Sequence, residues 1–159
     1  LFRGLRGRRQ AYKMLHVREA TAIYSSSQLG SQFSAYRTSD FSESSFWCSA
    51  NGEIEDQYIT YDLGGAEGIQ CVQLLAPEDT SCPHECTLFC SDSSKDRFIR
   101  ILDFQLRRQK GIWQYFPIYF PGHARYWKLW MRNNWGSSTN MSLYACLFVR
   151  AQGCKYCAK

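Results

Sequence analysis

The 159 residues include 45% hydrophobic and 16% aromatic side chains, which excludes an intrinsically disordered chain and suffices for one domain with its own core. The formal charge of +5 does not describe the body: Arg3, Arg6, Arg8, Arg9, Lys13 and Arg18 crowd the first twenty residues against Glu19 alone. From position 21 onward thirteen Lys or Arg face thirteen Asp or Glu, so sequence-specific nucleic-acid recognition is not expected, and no apolar run approaches the roughly 20 residues of a membrane span.

Residues 1–19 read as a basic arm. Its apolar members are not cleanly periodic, which allows a short helix or an outer strand, and its charge suits peripheral contact with anionic lipid or docking into a larger assembly. The chain starts with Leu, as a matured or partial protein would. Residues 20–24 suit a strand and 25–31 a polar turn. Another loop is expected at 38–45, and Asn51-Gly52 is a turn signal. Strand chemistry fills 58–63, where Gly64-Gly65 is expected to end it, and resumes at 69–75. Residues 77–83 open a polar excursion through Cys82, Cys86 and Cys90. Strands follow at 98–106, at 113–120 after a Lys110-Gly111 hairpin, at 124–131 after Pro121-Gly122, and at 141–149. Six to eight short strands without helical periodicity predict an all-β sandwich or flattened barrel over 20–150, with 151–159 as a cysteine-containing tail.

Cys48, Cys71, Cys82, Cys86, Cys90, Cys146, Cys154 and Cys157 are an even set. They favour up to four disulfides and an oxidising compartment: secreted, on the extracellular surface, or in the secretory lumen. The connectivity stays open. Cys82-Pro83-His84-Glu85-Cys86 and Cys154-x-x-Cys157 also contain zinc-type donors, but joining them requires the fold to bring loop and tail together, so structural bridging is the simpler use. His16, His84 and His123 are the only histidines and none sits in a nucleophile motif, so no enzymatic activity is expected. Asn140-Met141-Ser142 is the sole glycosylation acceptor pattern.

Several strand motifs then occur in a telling order. Residues 22–27 lead an Ala-containing strand into paired serines; Asp40 follows, then Ser45-Phe46-Trp47 and Tyr58-Ile59-Thr60-Tyr61-Asp62-Leu63-Gly64. Later come 104–113 ending in Trp113, Phe120-Pro121, Ala124-Arg125-Tyr126-Trp127-Lys128-Leu129 and Leu143-Tyr144-Ala145-Cys146. From about 22 to 146 this series resembles the discoidin (coagulation factor 5/8 C-terminal) domain family of the galactose-binding-like superfamily. The resemblance implies a jelly-roll β-sandwich whose end loops bind glycans, anionic phospholipids or proteins.

Two departures bear on function. Phe41 and Ser142 stand where relatives commonly carry Gly and Glu, and Asp40 alone falls short of the roughly six to eight oxygens a structural calcium takes, so no cofactor is assigned. No cysteine precedes Cys48, which leaves Cys146 free or paired with Cys48 or Cys71. Trp47, Tyr58, Tyr61, Trp113, Tyr126 and Trp127 are expected to pack inside. The candidate ligand contacts are Tyr36 and Arg37, which the resemblance places in an end loop, with Asn51 and Glu53 on another and Trp135 on a third. The expected function is a noncatalytic recognition or adhesion domain for a protein or glycan, protein ranked first. The alternative is an assembly subunit docking through its arm and tail.

Overall fold

Polar turn signals alternate with short apolar runs along the chain, and the runs at 58–63, 69–75, 98–106, 113–120, 124–131 and 141–149 supply strands among the described residues. The computed structural model describes residues 17–18, 20–40, 42–119 and 122–150; most of the basic arm, Phe41, Phe120-Pro121 and the tail with Cys154 and Cys157 lie outside them. The described strands are β1 (Val17–Arg18), β2 (Thr21–Ser25), β3 (Trp47–Cys48), β4 (Gln57–Leu75), β5 (Glu85–Ser91), β6 (Ile99–Gln105), β7 (Trp113–Pro117), β8 (His123–Met131), β9 (Ser142–Leu143) and β10 (Ala145–Arg150). Two 3-10 turns, Ser31–Phe33 and Ala35–Thr38, follow β2, and no α-helix occurs among the described residues.

The long strand β4 organises the molecule. Its first half pairs with β2 and β8, and β8 continues through β5 to β6; its second half pairs with β10 and β7, and β10 with β1. All these pairings are antiparallel, and together with the small β3–β9 ladder they build a jelly-roll β-sandwich.

Gly64-Gly65 therefore does not end a strand, as expected from the sequence. The Asp62 carboxylate accepts a 2.7 Å hydrogen bond from the Gly64 N–H, Gly64 takes φ +77°, and pairing with β8 resumes at Glu67 after a register shift. The positive φ suits glycine, and the bulge lets one continuous strand cross from one sheet to the other.

Strand β5 lies inside what reads as a polar excursion. Its alternation is Cys86, Leu88, Cys90 inward, all buried, and the cysteines conceal a period of two that Val or Leu would advertise. The core between the sheets holds Trp47, Ile59, Tyr61, Leu74, Leu88, Trp127, Leu129 and Phe148, each without measurable exposure. Tyr58, Trp113 and Tyr126, expected inside, are only half-buried. Paired serines tie the layers together: Ser26 and Ser27 hydroxyls donate to Gln57 Oε1 at 2.7 and 2.6 Å, and the Ser27 carbonyl accepts the Trp47 indole N–H at 3.0 Å.

The expected disulfide framework does not form within the body: Cys48, Cys71, Cys82, Cys86, Cys90 and Cys146 are all free. Register explains part of this. Cys86 and Cys90, four residues apart on one extended strand, are separated by about 13 Å, beyond disulfide reach. Cys146 sits opposite Leu74 in the core, whereas Cys71 sits opposite Val149 on the other side of the same sheet. Burial pushes the Cys146 thiol up to about 12 and raises the Cys86 thiol well above its ordinary value. These cysteines behave as small hydrophobes.

Candidate functional site

The described ends of the chain meet where β1 pairs with the last residues of β10. The loops 26–30, 49–56, 76–84, 106–112 and 132–141 gather at the opposite end of the sandwich, where β4 begins and β8 and β6 end. The last of these loops is shaped by two asparagines. Asn134 Nδ2 donates to the carbonyls of Ser137 and Asn140, both at 3.0 Å, while its Oδ1 accepts the Gly136 N–H at 2.9 Å. Asn133 clasps the start of β5 with both ends of its amide, accepting the Glu85 N–H at 3.0 Å and donating to Glu85 Oε2 at 2.6 Å.

Between them and the β5–β6 ladder, Trp135 is held in place. Its indole N–H donates to the Leu106 carbonyl at 2.9 Å, and the His84 ring stacks on it with centroids 3.9 Å apart. The Arg108 guanidinium lies 5.9 Å from the ring centroid, and the residue keeps 39% of its surface exposed. A large ring fixed at its polar edge and backed by His84, with part of its surface still exposed, is preorganised for contact with a planar or ring-shaped group.

A cleft of about 280 Å³ is lined by Glu85, Thr87, Arg100, Asp103, Gln105 and Arg132, with Cys86 and Phe104; its Glu85 and Gln105 adjoin along the chain His84 and Leu106, the two residues that hold Trp135. The β5–β6 register makes this set: Glu85 faces Gln105, and Thr87 faces Asp103. Asp103 accepts from the Thr87 hydroxyl at 2.7 Å and from the Arg100 guanidinium, and chiefly the Arg100 bond holds its carboxyl below the usual range. The Arg132 guanidinium lies 5.0 Å from the Trp130 ring centroid. Guanidinium donors and carboxylate or amide acceptors thus line one small volume next to an open indole, an arrangement suited to groups that both donate and accept, such as sugar hydroxyls.

Of the residues singled out from the sequence, Trp135 belongs to this site. Asn51 and Glu53 lie at the same end, exposed on a tight turn closed by Glu53 N–H to Ala50 carbonyl at 3.0 Å, with Gly52 at φ +88°. The Gly52 N–H to Thr139 carbonyl bond, 2.7 Å, joins that turn to the Trp135 loop. Tyr36 and Arg37 are not brought to Trp135. They ride the second 3-10 turn beside β2, with β4 and β8 between them and β5, and Arg37 pairs with Asp40 at 4.0 Å. Asn140 is half-buried in the loop that Asn134 shapes.

Asp40 is engaged locally, its carboxylate accepting from Ser42 N–H at 3.0 Å and the Ser45 hydroxyl at 2.7 Å. His84 stacks on Trp135, and among the described residues no three His, Cys, Asp or Glu side chains are set to hold a metal ion. His84, Glu85, Arg100, Asp103, Gln105, Arg108 and Arg132 were missed as ligand candidates. The signal was available only through β5: once 85–91 is a strand, its outward residues and those of β6 share a face.

No protein-family model matches the chain, and no curated protein sequence is similar to it. Solved structures do match. The family 32 carbohydrate-binding module of NanJ from Clostridium perfringens, in complex with galactose, superposes with a TM-score of 0.72 over 84% of this chain and 97% of its own, at 12% identity. The fold is the discoidin, galactose-binding-like β-sandwich. The discoidin-like domain also matches CpGH89CBM32-5 from Clostridium perfringens, in complex with GalNAc-β-1,3-galactose, with a TM-score of 0.71, 17% identity, and 84% and 99% of the two chains covered. Chitosan-binding module 1 of a chitosanase/glucanase from Paenibacillus sp. IK-5 matches at 23% identity and a TM-score of 0.63, over 84% and 96%. At such identities the likeness is one of fold.

Proposed function

We propose that this discoidin-like domain is a noncatalytic glycan-binding module that holds sugar at the loop end, against Trp135 and in the adjoining cleft. One observation carries the reading: a half-open indole, fixed by Leu106 and His84, stands beside a cleft lined by Arg100, Arg132, Glu85, Asp103 and Gln105. The apolar face of a pyranose stacks on the ring, and its hydroxyls exchange hydrogen bonds with the guanidiniums and carboxylates. Solved structures of this fold are described as bound to galactose or to a GalNAc-galactose disaccharide, and others as chitosan-binding, which supports placing glycan ahead of protein as the partner. We place the domain where such glycans are displayed, outside the cytosol; this now rests on the ligand class, because the buried free thiols no longer argue for an oxidising compartment.

The test is titration calorimetry and glycan-array binding with galactose, GalNAc-β-1,3-galactose and chitotriose as the first probes. Binding of a glycan class by the native domain, weakened about tenfold or more in Trp135→Ala with the fold intact, is the expected result. Unaltered glycan binding in Trp135→Ala removes the site, and failure to bind any arrayed glycan removes the function.

A further inference from the structure

The loop-end cleft opens onto the outer face of the five-stranded sheet, and that face is built of rings and cations. Register aligns it in two rows. One runs from Tyr58 through Trp130 and Thr87 to Asp103; the other runs from Tyr24 through Thr60, Lys128 and Phe89 to Arg100. Each row ends on residues that line the cleft. Five strands at the usual spacing make the second row about 19 Å wide.

Most positions facing water on an ordinary antiparallel sheet are small or charged. Here Tyr24 and Tyr58 pair with centroids 5.8 Å apart, and Phe89 and Trp130 lie 6.3 Å apart. Between the two pairs stands Lys128, its ammonium 4.8 Å from the Tyr58 ring centroid and 4.0 Å from that of Phe98. The charges on the face are arranged unequally. Arg125 binds Asp62 through two hydrogen bonds of 2.8 and 2.9 Å, and Arg100 binds Asp103. Among the described residues Lys128 makes no ion pair; its charge is met by ring faces alone. Partial desolvation lowers its pKa, as expected of an ammonium held without a carboxylate.

We infer that this face is an extension of the glycan site, and that it takes an acidic glycan, whose rings stack on Tyr24 and Tyr58 and whose carboxylate or sulfate groups meet the Lys128 ammonium. The inference rests on the glycan-binding reading above and names its substrate class. Charge complementarity favours an anionic ligand, and continuity with the cleft favours a polymer long enough to occupy both. A neutral chain would leave the lysine on its rings and gain only stacking; an anion supplies the charged acceptor that Lys128, alone among the paired charges of the face, is without.

The experiment compares acidic oligosaccharides (galacturonan, hyaluronan and heparan sulfate fragments) with their carboxyl-reduced or desulfated counterparts, by calorimetry at low and high salt. At least one acidic fragment should bind about tenfold more tightly than its neutral counterpart at low salt, and the advantage should fade as salt screens it. Lys128→Met should abolish the preference, Lys128→Arg should keep most of it, and Tyr24→Ala should weaken long fragments more than single sugars. Thermal melts confirm that each variant is folded. Equal affinity for acidic and neutral fragments, or an unchanged preference in Lys128→Met, overturns the inference while leaving the Trp135 site standing. Absence of all glycan binding overturns both. Tight binding to a dT20 oligonucleotide or to phosphatidylserine vesicles, with no glycan preference, also overturns it.

Discussion

The second 3-10 turn is fixed to the core by a short chain of buried hydroxyls, and its strength can be worked out in advance. The Thr38 hydroxyl donates to the Ala35 carbonyl at 2.7 Å and accepts from the Tyr61 hydroxyl at 2.8 Å; both residues have no measurable exposure. Thr38→Val removes the link at its centre. It leaves the Tyr61 O–H with only the weaker Cys146 sulfur as acceptor and the Ala35 carbonyl without its donor, and weakening or stranding such buried groups costs about 1–3 kcal/mol. Tyr61→Phe deletes only the outer hydroxyl, and because Thr38 can still donate to Ala35, the loss is about 1–1.5 kcal/mol. In the double variant the phenol that Thr38→Val would leave poorly bonded is absent, so the two losses should not add: it should be less destabilised than their sum by about 1 kcal/mol. Urea unfolding with an unchanged slope reads all four corners of the cycle. Additive losses would show that the two hydroxyls do not depend on each other and would refute the chain of bonds.

Three further outcomes follow from the same structure. Gly64→Ala should cost about 1–2 kcal/mol because an L side chain is strained at φ +77°, whereas Gly65→Ala, which meets nothing within 4 Å, should be nearly neutral in the same unfolding assay. The fully buried thiols of Cys86 and Cys146 keep their protons in the folded chain above the pH near 9 at which they ionise when unfolded, burial being the main cause. Their contribution is therefore fully present below about pH 9 and lost above it by about 1.4 kcal/mol per pH unit for each thiol; Cys146→Ala should flatten the alkaline limb of a urea-stability profile. Without reductant, a thiol reagent should leave Cys86 and Cys146 unmodified in the native protein and label both after unfolding, as peptide mapping would show; disulfide-linked peptides at either position would contradict the free core thiols.

The fold was legible where strand chemistry was undisguised. Residues 58–63 and 124–131 carry branched and aromatic side chains in alternation, and they became the centre of the larger sheet. Gly64-Gly65 misled because glycine marks both turns and bulges, and only pairing with β8 across the interruption decides between them. Cysteine misled twice. At Cys86 and Cys90 it hid a strand, and as an even set it suggested bridges, whereas the six described cysteines are free. The site was legible at Trp135, whose neighbours Asn133, Asn134 and Gly136 announce a shaped loop. It was illegible at Arg132, Glu85 and the Arg100–Asp103 pair, which the strand pairing across β5 brings to one cleft from separate stretches of sequence. Tyr36 and Arg37, an exposed aromatic beside an arginine, lie on a turn on the β2 side of the sandwich, apart from Trp135.

The indole N–H of Trp135 offers the most direct report on glycan binding at the loop end, because it is a single, assignable amide-like resonance at the centre of the proposed site. A 1H–15N titration of the native domain with the bound glycan should move that resonance together with the backbone signals of His84, Glu85 and Arg132, while the Tyr36 and Arg37 signals stay still. Saturable shifts confined to the 3-10 turn or to the opposite end of the sandwich, with the Trp135 indole unmoved, would contradict the account.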